Sequence, residues 1–387
     1  MNINGRVCLA ALFGVGMLAV ATPVSAADAY SWPDNIPPAA KALMQPPPLS
    51  PFGQKVPGYP QGAPASSPDV LTFTPEQIAK LKAGHYTAGI VMQTMDAGWP
   101  MLQVRGITQT LATFGISVVA TTNAKFLPGK QISDLEEVIA RKPDVIFSVP
   151  LDPLGESAAY KKAAAAGIKL VFMDNVAVDM TPGKDYVSVT ASDNQSNAMF
   201  ATRELAARIG NKGEIGFITL VYDYYYSVAA RKVGMLKALE QLPDVKLVQT
   251  STFATPEKAY GVATAMMTAH PNLKGIFVAW DTPAEQVVAA AKTLGRKIVI
   301  TTNDLATDSA YYVARDEIAA IGAQRPYDQG VAEAKSAGYA LLGLKVPPYI
   351  EVPTLAVTKL NLLSALKDVT KEEPPASLIK VCKGQCF

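Results

Sequence analysis

The chain has 387 residues, 35 of them basic and 33 acidic, with 49% hydrophobic and 18% charged content. That length allows two domains with full cores, and the near-balance of charge gives no bulk electrostatic case for a nucleic-acid partner. Three cysteines exclude a disulfide-built scaffold, and two histidines, His85 and His270, leave little for a histidine-rich metal site or a catalytic triad.

At the N-terminus Arg6 precedes an apolar run from Val7 to Val20, and Val24-Ser25-Ala26 sets small residues ahead of Ala27. This reads as a secretory signal peptide over 1–26, cleaved near Ala26, which exports the mature protein. A membrane anchor is the rival, but the run is short for a span and contains two glycines. Cys8 lies at the start of the run, which argues against a lipid anchor. Residues 27–72 are rich in proline, including Pro46-Pro47-Pro48, and show no helix or strand period. They form, with a short helix opened by the capping box Thr74-Pro75-Glu76-Gln77, an arm over 27–85 that either wraps the domain or tethers it.

From Ala88 an alternation sets in. Strand-length apolar runs recur at Ala88–Met92, Ile116–Ala120, Val145–Val149, Lys169–Met173, Tyr186–Val189, Glu214–Leu220, Lys246–Thr250, Gly275–Ala279 and Lys297–Thr301. Helix-patterned segments separate most of them, at 131–142, 155–166, 195–210, 227–241, 257–269 and 283–294. Strand alternating with helix predicts an α/β fold of parallel sheets flanked by helices. The strands are too many for one comfortable sheet, so two Rossmann-like lobes are expected. Thr282-Pro283-Ala284-Glu285 reads as a second capping box. Cys382 and Cys386 close the chain, and in an exported protein such a pair forms either a small disulfide loop or part of a mobile tail.

The unusual residues gather after the strands, where open α/β sheets bind ligands. Asp96 and Trp99-Pro100 follow the first run. Asp152 follows the third, and Asp174-Asn175 the fourth. Tyr222-Asp223-Tyr224-Tyr225-Tyr226-Ser227 follows 214–220, with Arg231 a helical turn on. Trp280-Asp281, Asn303-Asp304 and Gln324 follow later runs. Carboxylates and amides share hydroxyl protons, arginine offers a planar fork of donors, and an indole face covers the C–H patches of a ring. The mixture suits a polyhydroxylated small molecule. Each residue also has a plainer reading: Trp99 caps the core, Asp152 and Asp281 cap helices, Asn303 holds a turn, and Arg231 is a solvated helix residue.

In order and spacing, Asp152, Asp174, Ser192-Asp193-Asn194, Arg231-Lys232-Val233-Gly234-Met235, Asp281, Asn303-Asp304 and Gln324 resemble the ribose/galactose-type periplasmic sugar-binding proteins. These are the type I substrate-binding proteins of ABC importers, and the resemblance covers roughly 86–362. It implies two lobes, 86–192 plus 325–352 and 193–324 plus 353–370, joined by a three-crossing hinge near Ser192, Gln324 and Glu351–Thr354, with a tail over 371–387. It implies that Trp99 stacks on the ligand, that Asp152 binds hydroxyls, that Arg231 reaches in from the C-terminal lobe, and that Asn303 or Asp304 contributes beside Gln324. This chain departs from a ribose binder at three places. Asn175 stands where an arginine is expected, Trp280 where an asparagine is, and Pro100 where a second aromatic is.

The expectation is therefore a monomeric periplasmic solute-binding protein that closes on a sugar or sugar-like ligand and docks on an ABC permease. The alternatives are a receptor for a sensor kinase or chemoreceptor, or a binder of a non-sugar cyclic solute. A transcription regulator of the same core is disfavoured by the leader and by the lack of a basic helix-turn-helix before residue 86. No cofactor or metal is expected. No Ser-His, Cys-His, Gly-x-Ser-x-Gly or phosphate-loop pattern supports an enzyme.

Overall fold

The computed structural model describes residues 37–44, 63–222 and 225–387. The expected leader lies outside the described residues, as do much of the proline-rich arm and Asp223 and Tyr224 of the tyrosine cluster. Two helices come first, α1 (Pro38–Leu43) and α2 (Pro75–Ala83). The first lobe then alternates β1 (Thr87–Met92), α3 (Gly98–Thr113), β2 (Ser117–Asn123), α4 (Pro128–Ala140), β3 (Val145–Ser148), α5 (Ser157–Ala165), β4 (Lys169–Met173) and β5 (Ser188–Ser192). The second holds α6 (Asn194–Arg208), β6 (Gly213–Leu220), α7 (Tyr226–Leu239), β7 (Val245–Phe253), α8 (Ala259–Ala269) and β8 (Leu273–Val278). It continues through α9 (Asp281–Thr293), β9 (Val299–Asn303), α10 (Thr307–Ala314) and β10 (Ala320–Ala323). The remainder is α11 (Pro326–Leu341), β11 (Tyr349–Val352), β12 (Leu355–Thr358), α12 (Leu362–Thr370) and α13 (Ala376–Cys382).

Two six-stranded sheets result, in the orders β11-β5-β4-β3-β1-β2 and β12-β10-β9-β8-β6-β7. Every pairing is parallel except β10 with β12. Parallel strands covered on both faces must be apolar on both, which is why β3 is buried throughout and reads as an unbroken run. The chain passes between the sheets three times: after β5, after β10, and between β11 and β12. Strands β11 and β12 were not anticipated as strands.

Close helix pairs fix the angle at which side chains leave each lobe. A Cβ at Gly106 of α3 would overlap the Tyr327 carbonyl oxygen, and one at Gly330 of α11 the Gln103 carbonyl oxygen, so these two helices meet backbone to backbone. Gly234 does the same in the second lobe, seating α7 on the Gln195 carbonyl of α6. Arg231 lies three residues before Gly234, on the same helix face. The glycine of the Arg-x-x-Gly-Met pattern thus sets the position from which the arginine projects.

The Thr74 capping box forms, with Thr74 Oγ1 accepting from Gln77 N–H and Gln77 Oε1 accepting from Thr74 N–H. The box expected at Thr282–Glu285 does not. Helix α9 starts earlier, at Asp281, whose Oδ1 accepts the Thr282 N–H, so Thr282 lies inside the helix. The described part of the arm touches both lobes. Met44, just after α1, takes a weak hydrogen bond at its sulfur from Asn361 beyond β12, and Ser66 pairs with the edge of β11 through the Tyr349 carbonyl and the Glu351 N–H. Cys382 and Cys386 are joined in a disulfide. The residues around it are docked rather than free, with Phe387 exchanging backbone hydrogen bonds with Leu360 and Ser364.

Candidate ligand-binding cleft

The carboxyl ends of both sheets face one cavity with about 540 Å³ of space, part of it open to solvent. The first lobe contributes Gln93 and Thr94 after β1, Trp99 and Pro100 at the start of α3, Phe126 beyond β2 and Asp174 after β4. The second contributes Leu220, Tyr225, Ser227 and Arg231 around the start of α7, Trp280 and Asp281 after β8, and Asp304 after β9. Gln324 enters from the second crossing.

Arg231 is the polar pivot. Its guanidinium, 2% exposed, donates to both oxygens of Asp304 at 2.9 and 3.0 Å, to the Ala279 carbonyl at 2.7 Å and, from Nε, to Asn194 Oδ1 at 3.0 Å. Asn194 belongs to the first crossing, where Asp193 caps α6 by accepting from the Ser196 N–H. Gln324 Nε2 donates to Asp304 Oδ1 at 3.0 Å, while Gln329 Nε2 donates to Gln324 Oε1 at 3.1 Å and to Asp174 Oδ1 at 3.4 Å. A hydrogen-bonded chain therefore runs Asp174–Gln329–Gln324–Asp304–Arg231–Asn194 from one lobe to the other, and two of the three crossings hold its members, Gln324 and Asn194.

Asp174 and Asp304 occupy equivalent places, each directly after the fourth strand of its lobe's βαβ series. Both have left-handed backbone, with φ of 49° and 68°. Aspartate tolerates that region better than most residues. The turn separates each carboxylate from its neighbouring amide. Asp304 faces Arg231, while Asn303 is fully buried with Nδ2 donating to the Gly322 carbonyl. Asp174 faces the cavity, while Asn175 turns inward.

Burial pushes the Asp174 carboxyl up to about 7; Arg231 lowers it in part, and the nearby Asp304 adds to the rise. Burial likewise pushes Asp281 up to about 8, with Asp304 and Glu285 raising it further. Desolvation is the dominant physical cause in both, because it penalises the charged form.

The walls are aromatic. Trp280 stacks across the cleft on Phe126 with ring centres 6.3 Å apart and planes 24° apart, and is backed edge-on by Phe253 at 5.0 Å. The Trp99 indole lines the same space with a buried N–H that has no protein partner.

Of the residues expected at a site, Trp99, Asp174, Arg231, Trp280, Asp281, Asp304 and Gln324 share this cavity. Asp96 lies outside it, in the outer part of the cleft. Asp152 does not line it: its Oδ1 accepts the N–H groups of Leu154 and Gly155, holding the turn before α5. Asn175 is a brace between lobes, with Nδ2 donating to the Pro150 carbonyl at 2.8 Å and Oδ1 accepting the Tyr226 N–H at 2.6 Å. The Tyr226 side chain is fully buried and packs into the first lobe's apolar core. Gln93, Thr94 and Phe126 were not expected, and of the stretch Tyr222–Ser227 it is Tyr225 and Ser227, not Tyr226, that line the cavity. Position after a strand is the signal that finds Gln93 and Thr94, and the tyrosine cluster points to Tyr225; nothing in the sequence marks Phe126.

Among the described residues no group of three or more His, Cys, Asp or Glu is arranged to hold a metal ion, and no helix is long and apolar enough to cross a membrane.

Two parallel-sheet lobes, three crossings and a polar, aromatic-walled cavity between them define a two-lobed solute-binding architecture. A family model described as a periplasmic binding protein domain matches residues 88–345, and the chain belongs to that family, one of binding proteins rather than enzymes. Among curated relatives, the ribose import binding protein of Bacillus subtilis is 25% identical over 271 residues, 69% of this chain and 86% of that protein. The D-allose-binding periplasmic protein of Escherichia coli is 23% identical over 70% of this chain and 91% of its own. A solute-binding protein of Agrobacterium radiobacter, solved in complex with D-arabinose, superposes with a TM-score of 0.67 at 22% identity, over 74% of this chain and 99% of that one. One from Actinobacillus succinogenes with bound D-allose gives 0.63 at 24% identity, over 71% and 98%. At these identities the solved structures speak to the fold.

Proposed function

We propose that this protein is the periplasmic solute-binding component of an ABC importer and that it closes its two lobes on a small sugar or sugar-like ring. The observation that carries this reading is the cavity at the facing strand ends, where Arg231, held bidentately by Asp304, shares the lining with the indoles of Trp99 and Trp280. Fixed polar groups orient a ring's substituents and aromatic faces cover its C–H surface. The names of the relatives, import binding proteins for ribose and D-apiose and a D-allose-binding protein, support the same solute class and output. Lobes spanning 86–192 with 325–352 and 193–324 with 353–370 move about the three crossings. The ligand touches both lobes only when they are closed, so it draws the population to that state. The closed monomer then docks on the permease. Export with removal of residues 1–26 completes the reading, supported by the apolar run and small residues at the N-terminus.

Calorimetric titration with D-ribose, D-allose, D-arabinose, sugar acids, cyclitols and amino sugars tests it. At least one of these binds one-to-one, and Trp99→Ala weakens it. No heat from any member, with the protein folded, overturns the sugar-like reading.

A further inference from the structure

We infer that the cleft is built for a ring that carries a positive charge, a solute of the amino-sugar or aminocyclitol class; this rests on the cleft being a site for a sugar-like ring. The cavity wall holds three carboxylates, Asp174, Asp281 and Asp304, against one guanidinium, Arg231. Arg231 is already neutralised. Asp304 takes it with both oxygens, and the Ala279 carbonyl and Asn194 occupy its other sides. Asp281 therefore faces the cavity without a cation, and Asp174 has only the distant influence of an Arg231 that Asp304 already holds. Asp174 meets only neutral donors, the amides of Gln329 at 3.4 Å and of Gln324, and Asp281 likewise meets the Thr282 N–H at 2.8 Å and the Ser309 hydroxyl. Gln93, 5% exposed, adds an amide oxygen with no partner. Buried carboxylates without a counter-charge are costly unless they keep their protons or meet a cation.

Three further features point the same way. Trp280 and Phe126 lie over one another across the cleft at 6.3 Å, Trp99 lines the same space, and aromatic faces attract cations. On the α3 and α10 side, the outer part of the cleft shares Ala97 and Asp281 with the cavity and is lined by Asp96, Asp281, Glu285, Asp308 and Glu372 against one basic residue, Arg105; on the other side Lys125 stands with Glu257. Arg105 is itself paired with Glu372. The whole chain carries a net charge of +2, so this acidic funnel is a local feature and not a consequence of composition. Such a funnel concentrates cations at the mouth.

The facing groups define the protonation linkage. Asp174 faces Arg231 of α7, Asp304, Gln324, Gln329 and the buried Glu333 of α11, with Tyr225 nearby. Asp281 faces Asp304, Glu285, Thr282 and Ser309 of α10. In the empty cleft burial keeps both protonated near neutrality, and an entering ammonium displaces those protons. Affinity for a cationic ring therefore rises with pH through this range, with protons released on binding.

The test is calorimetry on the full mature chain with matched pairs: D-glucosamine with D-glucose and N-acetyl-D-glucosamine, D-galactosamine with D-galactose, and an amino-deoxy inositol with myo-inositol. Each is run at about pH 5.5 and about pH 7.5 in two buffers of different ionisation heat. The amine of at least one pair should bind at least about tenfold tighter than its neutral partner, an advantage that grows with pH and comes with proton release. In Asp174→Asn and Asp281→Asn, checked for folding by melting, the advantage should collapse. A neutral or acidic member that binds as well as or better than the amine overturns the charge inference and leaves the sugar-like reading standing. An amine advantage that falls with pH also overturns it. No binding by any member of any pair overturns the charge inference, and the sugar-like reading falls with it only when D-ribose, D-allose and D-arabinose also give no heat.

Discussion

Replacing Asn175 by alanine tests whether the lobes are latched by one amide. Asn175 sits in the first lobe, yet its Oδ1 accepts the N–H of Tyr226, the first residue of α7 in the second lobe. The preceding Tyr225 makes no side-chain cap. Asn175 is therefore the cap of a helix in the opposite lobe. When the lobes part, water serves that N–H instead, so the mutation's cost falls on the closed state alone. A buried donor left unpaired costs about 1–3 kcal/mol, which shifts a two-state equilibrium by about 5- to 150-fold. Apparent affinity should fall by up to that factor, and equally for every ligand, because Asn175 does not line the cavity. Calorimetry with two ligands of different size reads the loss, and small-angle scattering of the unliganded protein reads the opening as a larger radius of gyration. Unchanged affinity together with an unchanged scattering curve would refute the latch. A loss that differed between ligands would instead mean that Asn175 touches them.

Three other outcomes are expected. Trp99→Ala weakens ligand binding severely and leaves the melting temperature of the unliganded protein little changed; the reverse pattern would return Trp99 to the core. Asp174→Asn changes the pH dependence of stability in a fixed direction. The native carboxyl, pushed up to about 7 from 3.8, keeps a proton that the unfolded chain loses, so this group erodes stability as pH climbs through that window. Relative to wild type, the unliganded variant should gain on the order of 2–4 kcal/mol at about pH 8 and nothing at about pH 4, read from urea melts. Reducing the Cys382–Cys386 bridge, which closes a very short loop, should cost on the order of 2 kcal/mol without altering ligand affinity, because neither cysteine lines the cavity.

The sheets were legible because strands buried on both faces leave unbroken apolar runs, as at Val145–Phe147 and Gly275–Val278. Strands β11 and β12 were not, because Pro347-Pro348, Glu351 and Pro353 break up the apolar pattern around them. One of them carries Glu351, which is buried beneath a hydrogen bond from the Tyr349 hydroxyl. At the site, the sequence identifies which loops converge but not which of two adjacent side chains faces in. Asp174-Asn175 and Asn303-Asp304 are the cases in point. The left-handed turn at each aspartate decides the matter, and neither composition nor period encodes it. Asp152 was assigned to the cavity by its place after a strand. The loop carries it past the cavity, and its carboxylate is spent on two backbone N–H groups. Phe126 escaped notice because its contribution depends on meeting Trp280 from the other lobe.

The central claim is that a small ring binds between Trp99 and Arg231. Native mass spectrometry of the protein after incubation with the low-molecular-weight extract of the cells that make it tests this most directly. The account predicts one small solute bound per wild-type chain and none on a folded Trp99→Ala, Arg231→Ala double variant. The same adduct on both proteins, or bare protein in both samples, would contradict it.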